Sequence, residues 1–243
     1  MNSNMPTDAN RLLQSAESAI RNNDFRNALT SLEIVLESNP NHESALLYSA
    51  QCRHALGNYP ESEKLFQSLL EKHSGVAFYH HGLALLYNDW QKPELALTQA
   101  RHAVSLLPGA AEAWTQLSLA YRSIGDGQNA LDAAEHAAKL SPTSDALKHR
   151  AYANLMLHRA DDASRDFVGS MRLAFGGSSA PWRTEFINTT PAKLSHDIEQ
   201  YEYLHGLTGN PVFLNLSNSH REFLGRLPAD IPRGQIITLT PAA

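Results

Sequence analysis

Residues Trp114–Pro142 read WTQLSLAYRSIGDGQNALDAAEHAAKLSP. Trp114, Leu117, Tyr121 and Ile124 recur at three- and four-residue spacing, which marks one face of an α-helix. Gly125-Asp126-Gly127-Gln128 is a polar turn, and Ala130, Leu131, Ala134, Ala137 and Ala138 then mark a second helix. Pro142 ends it, because proline has no N–H to continue the helical ladder and its ring clashes with the preceding turn. The stretch is a helix–turn–helix hairpin.

Outward from it, the same spelling returns every 34 residues. Ala28, Ser62, Ala96 and Ala130 form one column, and Pro40, Ser74, Pro108 and Pro142 another. Leu12, Leu46, His80 and Trp114 align, as do Ala19, Arg53, Tyr87 and Tyr121, and Leu32, Phe66, Ala100 and Ala134. Pro60 and Pro93 fall at the start of second helices, where the first turn has no internal acceptor for the missing N–H. The small column at Ala28, Ala96 and Ala130 sits where two helices must cross closely. Larger neighbours such as Leu32 and Phe66 fill the space between hairpins. One hairpin cannot bury its apolar stripe alone, so stability must come from stacking on the next.

These residues resemble the tetratricopeptide repeat pattern W-x2-L-G-x2-Y…A-x3-F…P. Copy four supplies Trp114, Leu117, Ser118, Tyr121, Ala130, Ala134 and Pro142, departing at Ser118 and Ala134, both small. Copy three supplies Leu83, Ala84, Tyr87, Ala96 and Pro108. Copy one, from about Ala9, supplies Ala16, Ala28, Leu32 and Pro40, and copy two Leu46, Ala50, Phe66 and the turn Gly57-Asn58-Tyr59. A fifth copy, from Asp145 to about Phe175, fits with Tyr152, Leu155, Ala163 and Phe167 if one residue is lost in its turn. The resemblance implies an all-α fold, a TPR-type helical-hairpin solenoid of about five repeats over residues 9–175. Residues 1–8 are expected to be a disordered N-terminus, 176–181 a linker, and 182–243 a mixed capping extension.

In such an array the first helix of each pair lines a concave groove. The resemblance therefore nominates Leu47, Gln51 and His54 from copy two, and His81, Leu85 and Asn88 from copy three. Copy four adds Thr115, Leu119 and Arg122, and copy five His149 and Ala153. Aliphatic, amide and imidazole groups together suit an extended peptide or a helix, with apolar contact giving affinity and polar groups giving register. The lysine–asparagine clamp with which some relatives hold a chaperone's C-terminal carboxylate does not assemble. Its positions carry Leu13 and Glu17, Leu47 and Gln51, then His81 and Leu85.

Other chemistry finds little support. The 243 residues carry 20 Lys+Arg and 25 Asp+Glu, and a net charge of −5 disfavours a general nucleic-acid binder. The acidity belongs to residues 1–171, with 14 basic and 19 acidic side chains; residues 172–243 balance at 6 and 6. Cys52 is the sole cysteine, so a C-x-x-C pair or an intrachain disulfide is excluded. Gly125–Ala130 spells G-x-G-x-x-A, yet a helix, not a strand, precedes it, as a dinucleotide site would not allow. His42-Glu43 begins H-E-x-x-H but Leu46 closes it. Adjacent His80 and His81 point about 100° apart on a helix and seldom share an ion. Asp161, Asp162 and Asp166 read as favourable charge near a helix N-terminus. With no apolar run near ~18 residues and no basic-plus-apolar leader, the expectation is a cytoplasmic chain that meets neither membrane nor nucleic acid, and needs no metal or cofactor.

After the break Gly176–Pro181, Trp182, Phe186 and Ile187 make a short apolar segment. Ala192–Leu207 carries Leu194, Ile198, Tyr201 and Leu204 on one stripe, an amphipathic helix with Thr190 as cap and Pro191 in its first turn. His220–Leu227 reads as a short helix and Gly234–Thr240 as a lone strand, which needs a partner strand from elsewhere. Thr190–Leu204 is similar to a segment of bacterial proteins that join tetratricopeptide repeats to an iron- and 2-oxoglutarate-dependent hydroxylase. Such an enzyme needs an H-x-D/E pair and a later histidine. Only His220-Arg221-Glu222 offers the pair, and no histidine follows. The expectation is a non-catalytic scaffold for a protein or peptide ligand. The alternative is the recognition part of a hydroxylase whose catalytic domain lies outside this chain.

Overall fold

The 34-residue period returns in the helix boundaries. The structure, a computed structural model, describes residues 5–174, 187–189, 191–225 and 237–239. Helices α1 (Met5–Arg21), α2 (Phe25–Ser38), α3 (Glu43–Ala55), α4 (Tyr59–Lys72), α5 (Ala77–Asp89) and α6 (Pro93–Leu106) belong to one compact unit, Met1–Leu107. Helices α7 (Ala111–Ser123), α8 (Gly127–Leu140), α9 (Ser144–Met156), α10 (Ala160–Ala174), α11 (Pro191–Thr208) and α12 (Pro211–Gly225), with strands β1 (Ile187–Thr189) and β2 (Ile237–Leu239), belong to the second, Pro108–Ala243. The fold is the expected TPR-type array of helical hairpins with a mixed C-terminal part. The division between the units falls at Leu107–Pro108, inside the stretch read as one repeat region. The expected linker 176–181 lies outside the described residues. Helix α1 opens at Met5, ahead of the boundary expected at residue 9.

Each hairpin turn contains one residue in the left-handed region: Asn23 (φ 58°), Gly57 (78°), Gln91 (58°), Gly125 (83°) and His158 (58°). Glycine enters that region freely, whereas a Cβ is strained there. Two second helices are then capped by aspartate: the Asp24 and Asp126 side chains accept from the N–H of Asn27 (3.3 Å) and Asn129 (3.1 Å). These bonds satisfy amides that the first helical turn leaves unpaired. The G-x-G-x-x-A spelling is therefore an interhelix turn.

Where the paired helices cross, the small columns are fully buried. Ala16, Ala50, Ala84, Ser118 and Ala151 on the first helices are 0% exposed, as are Ala28, Ser62, Ala96, Ala130 and Ala163 on the second. The two serines are complementary. Ser62 Oγ on α4 donates to the Ala50 carbonyl on α3 (2.7 Å), and Ser118 Oγ on α7 donates to the Ala130 carbonyl on α8 (2.8 Å). A hydroxyl at a close crossing is thus paired across the hairpin rather than left as a buried orphan. Between hairpins, Phe66 of α4 packs so closely over Gly82 of α5 that a Cβ there would lie 2.5 Å from its ring.

The fifth hairpin corrects the sequence register. Helix α9 starts 33 residues after α7, and α10 starts 33 after α8. The lost residue is in the connection before α9, not in the hairpin's own turn. Ala151, not Tyr152, therefore takes the small crossing position. Asp166 also departs from a simple helix-dipole role: it is 8% exposed and receives Arg150 Nε (2.8 Å), Arg150 Nη2 (2.5 Å) and Asn154 Nδ2 (3.3 Å).

Beyond α10, the expected amphipathic helix is α11, opening at Pro191. Its Ile198, Tyr201 and Leu204 are buried, and Tyr201 and Leu204 join Tyr152, Phe167 and Phe213 in one core. Helix α12 begins at Pro211, well before the expected start at His220. Gly209 (φ 65°) ends α11, and Pro211 opens α12 with the residue type a first turn tolerates. A sixth hairpin therefore follows the five repeats. The strand expected to be alone has a partner in the same chain. β1 and β2 pair antiparallel, with Ile187 opposite Leu239, Asn188 opposite Thr238 and Thr189 opposite Ile237. Three-residue strands carry too little alternation to be matched from sequence.

Candidate functional site

In the first unit, the first helices α1, α3 and α5 are tied side chain to side chain. Tyr48 Oη on α3 donates to Glu17 Oε1 on α1 (2.9 Å), and Tyr79 Oη on α5 donates to Glu43 on α3. His54 Nε2 on α3 lies 2.7 Å from Asp89 Oδ2 on α5. Burial, with the Glu43 hydrogen bond next, pushes the Tyr79 phenol up to about 12. The nominated Leu47, Gln51, His54, His81, Leu85 and Asn88 are all half-buried here, so each keeps part of its surface open. The His81 ring stacks on Phe78 at 6.2 Å. Its neighbour His80 turns elsewhere, Nδ1 to Gln99 Oε1 at 2.7 Å, with its ring stacked on His102. His54 also leans on Tyr59, which stacks on Trp90, over whose ring Lys92 Nζ sits at 3.1 Å.

The second unit ties its first helices differently. The Arg122 guanidinium on α7 lies 4.2 Å from the centroid of the Tyr152 ring on α9, and its Nη1 is 3.5 Å from His149 Nδ1. Tyr152 Oη donates to Asp197 Oδ1 on α11 (2.7 Å), while Lys148 Nζ meets Asp197 Oδ2 (3.2 Å). Asp197 is 5% exposed. Burial first, then the Asp197 charge, drives the Tyr152 phenol well above its ordinary range. Burial lowers the Arg122 pKa to about 10, so the group is still charged at neutral pH. Leu119 and His149 are half-buried. Thr115 is not available: it is 7% exposed and its hydroxyl bonds the Ala111 carbonyl of its own helix (2.9 Å).

The 33-residue step changes which residues of α9 carry the face. Lys148 and Tyr152, not His149 and Ala153, take the positions of Thr115 and Leu119. Ala153 is 0% exposed, and His149 reaches Arg122 from the flank. The shift was legible in one signal, since Ala151 and Ala163 both stand 33 residues after the small pair Ser118 and Ala130. Asp197 had no sequence signal, because its role depends on α11 docking against α9.

A separate cleft of about 420 Å3 in the second unit is lined by Arg150, Arg159 and Arg165 with Glu135, Asp162 and Asp166. Its charges offset one another. Among the described residues no cluster of three or more His, Cys, Asp or Glu suits a metal ion, and no helix is long and apolar enough to cross a membrane. His220 and Glu222 both fall within α12.

The paired helices, their small crossing columns and the recurring turn define a helical-hairpin repeat protein. Family models described as tetratricopeptide repeat match residues 13–77 and 111–144, so the chain carries tetratricopeptide repeats in both units. No curated protein matches the sequence. Among solved structures, TTC0263, a thermophilic TPR protein in Thermus thermophilus, is similar at 20% identity and TM-score 0.62, over 68% of this chain and 91% of that one. MamA 41-end from Desulfovibrio magneticus RS-1 is similar at 20% identity and TM-score 0.61, over 71% and 98%. A Thermobaculum terrenum O-GlcNAc transferase mutant matches at 23% identity and TM-score 0.53, over 57% of this chain and 27% of that one. At these identities the likeness concerns the fold.

Proposed function

We propose that this protein is a non-catalytic interaction module that binds a protein partner, as a peptide or helix, along the first-helix faces of its repeats. The observation that carries the reading is the half-buried state of Leu47, Gln51, His54, His81 and Leu85 in one unit and of Leu119, Arg122 and His149 in the other. Fully buried residues serve packing alone. These keep part of their aliphatic and polar surface exposed on those faces, the mixture that peptide recognition uses. The polar ties between successive first helices hold the faces in one geometry, so less ordering entropy opposes binding. Association with a hydroxylase domain, suggested by the likeness of Thr190–Leu204, is the second reading, and it gives this chain the recognition part.

The test is capture of binding peptides by the full chain from a random-peptide display library. His81→Ala with Arg122→Ala is expected to weaken capture about tenfold or more while circular dichroism and melting temperature stay near wild type. Peptides held equally by the variant would remove the assignment. Turnover of 2-oxoglutarate by the chain supplied with iron(II) would overturn the non-catalytic reading.

A further inference from the structure

The first-helix face of the second unit carries a positive charge, Arg122, that no carboxylate among the described residues answers. Lys148 and Asp197 neutralise each other beneath Tyr152. Arg122 touches a neutral phenol ring and an imidazole nitrogen, and among the described residues no Asp or Glu pairs with it. A guanidinium that is half-buried and lacks a carboxylate loses hydration without regaining ionic hydrogen bonds. Its five donors point in a planar fork that fits a carboxylate in two parallel bonds. Tyr152 cannot swing away to offer its hydroxyl elsewhere, because Asp197 holds it. The ring is therefore a fixed shelf that orients the fork, and the half-buried Leu119, one turn before Arg122, supplies apolar surface beside it.

Resting on the reading of these faces as peptide-binding, we infer that Arg122 anchors the carboxylate of an aspartate or glutamate in an acidic peptide laid along α7 and α9, with an adjacent aliphatic residue on Leu119. A phosphopeptide fits less well. A phosphoryl group carries nearly two negative charges, and Lys148, the neighbouring cation, is committed to Asp197. Among the described residues Arg122 offers one positive charge, which a monoanion matches. The lowered pKa of Arg122 agrees, since a bound carboxylate would restore what desolvation removes.

The experiment selects random twelve-residue peptides on the full chain and measures the enriched ones by fluorescence anisotropy. The expected peptides share an acidic residue next to an aliphatic one. Changing that residue to its amide should weaken binding about 10-fold or more, the range of a desolvated charge pair. Arg122→Gln should cause the same loss, and in that variant the acidic and amide peptides should bind alike, the coupling that a double-mutant cycle isolates. Arg122→Lys should fall between, keeping charge but losing the fork. The melting temperature of Arg122→Gln should fall only slightly, by the lost ring contact, and equally in Arg122→Leu, whereas the loss of acidic-peptide binding should be large. Affinity should also fall with added salt.

Enriched peptides without acidic residues, acidic peptides that bind Arg122→Gln as tightly as wild type, or a phosphoserine version binding tenfold better than its glutamate counterpart would each overturn the assignment. Peptides that ignore Arg122→Gln but are lost with His54→Ala and His81→Ala would sink this inference and leave the interaction reading standing. Selection that yields no binding peptide at all would sink both.

Discussion

The first-helix faces of the two units use one scaffold and opposite charge. In the first unit the ties between successive helices end on acids: Glu17, Glu43 and Asp89 receive Tyr48, Tyr79 and His54. In the second unit the cations come first, with Arg122 and Lys148 near Tyr152 and the Asp197 carboxylate receiving both Tyr152 and Lys148. The backbone frame is nearly the same, since the small crossing columns hold both units to one hairpin geometry. The difference teaches that repeat packing constrains the crossing residues and leaves the face free to change sign.

The largest effect is expected where the second unit's tie is buried. Asp197→Ala leaves Lys148 without its carboxylate and the Tyr152 hydroxyl without its acceptor, and should cost about 3–5 kcal/mol in denaturant unfolding. The matching change in the first unit, Asp89→Ala, removes an exposed partner of His54 (Asp89 side chain 61% exposed) and should cost under about 1 kcal/mol. Equal losses would erase the contrast. Close packing contacts, at a crossing in one unit and between hairpins in the other, should respond alike. Ala130→Leu in the second and Gly82→Ala in the first each overpack a closed contact and should cost about 1–3 kcal/mol. For Gly82→Ala, the added Phe66→Leu change should return part of the loss. A neutral Ala130→Leu would dispute the repeat register.

Alkali tests the first face by a different route. The Tyr79 pKa is raised to about 12 from an ordinary 10, so the folded state holds the phenolic proton more tightly than the unfolded state does. That contribution is complete below pH 10 and is lost as pH rises from 10 to about 12. Tyr79→Phe should flatten the fall in first-unit stability across that window, followed by urea melts at each pH. The smallest effect is expected in the turns. Gln91→Gly, at φ 58°, should raise stability by about 0.5 kcal/mol through relief of left-handed strain, less the entropy a glycine adds to the unfolded chain. Gly125 already holds the equivalent turn of the second unit, so Gly125→Gln should lose a similar amount.

Legibility followed distance along the chain. The hairpins, their turns and the crossing columns were readable because burial repeats on one helical period and each contact lies within a repeat or its neighbour. Thus the repeat frame alone places Ala96 and Ala130 at the crossings, and Leu47, His54, Leu119 and Arg122 on the first-helix faces. The errors sit where local periodicity stops. The step of 33 before α9 moved the face from His149 and Ala153 to Lys148 and Tyr152. The early start of α12 at Pro211 lacked a continuing repeat to align it. The pairing of β1 with β2 joins segments some fifty residues apart in sequence.

By itself, then, the sequence determined the repeating helical hairpin, since a 34-residue recurrence of small and apolar residues allows few other ways to bury them. Only the tertiary structure decided which charges meet. Asp197 stands forty-five positions from Tyr152, and no periodic rule couples the two. Their pairing exists because α11 packs onto the last repeat and desolvates both groups together. The same docking that pairs Lys148 with Asp197 leaves Arg122, among the described residues, against a phenol ring and an imidazole rather than a carboxylate.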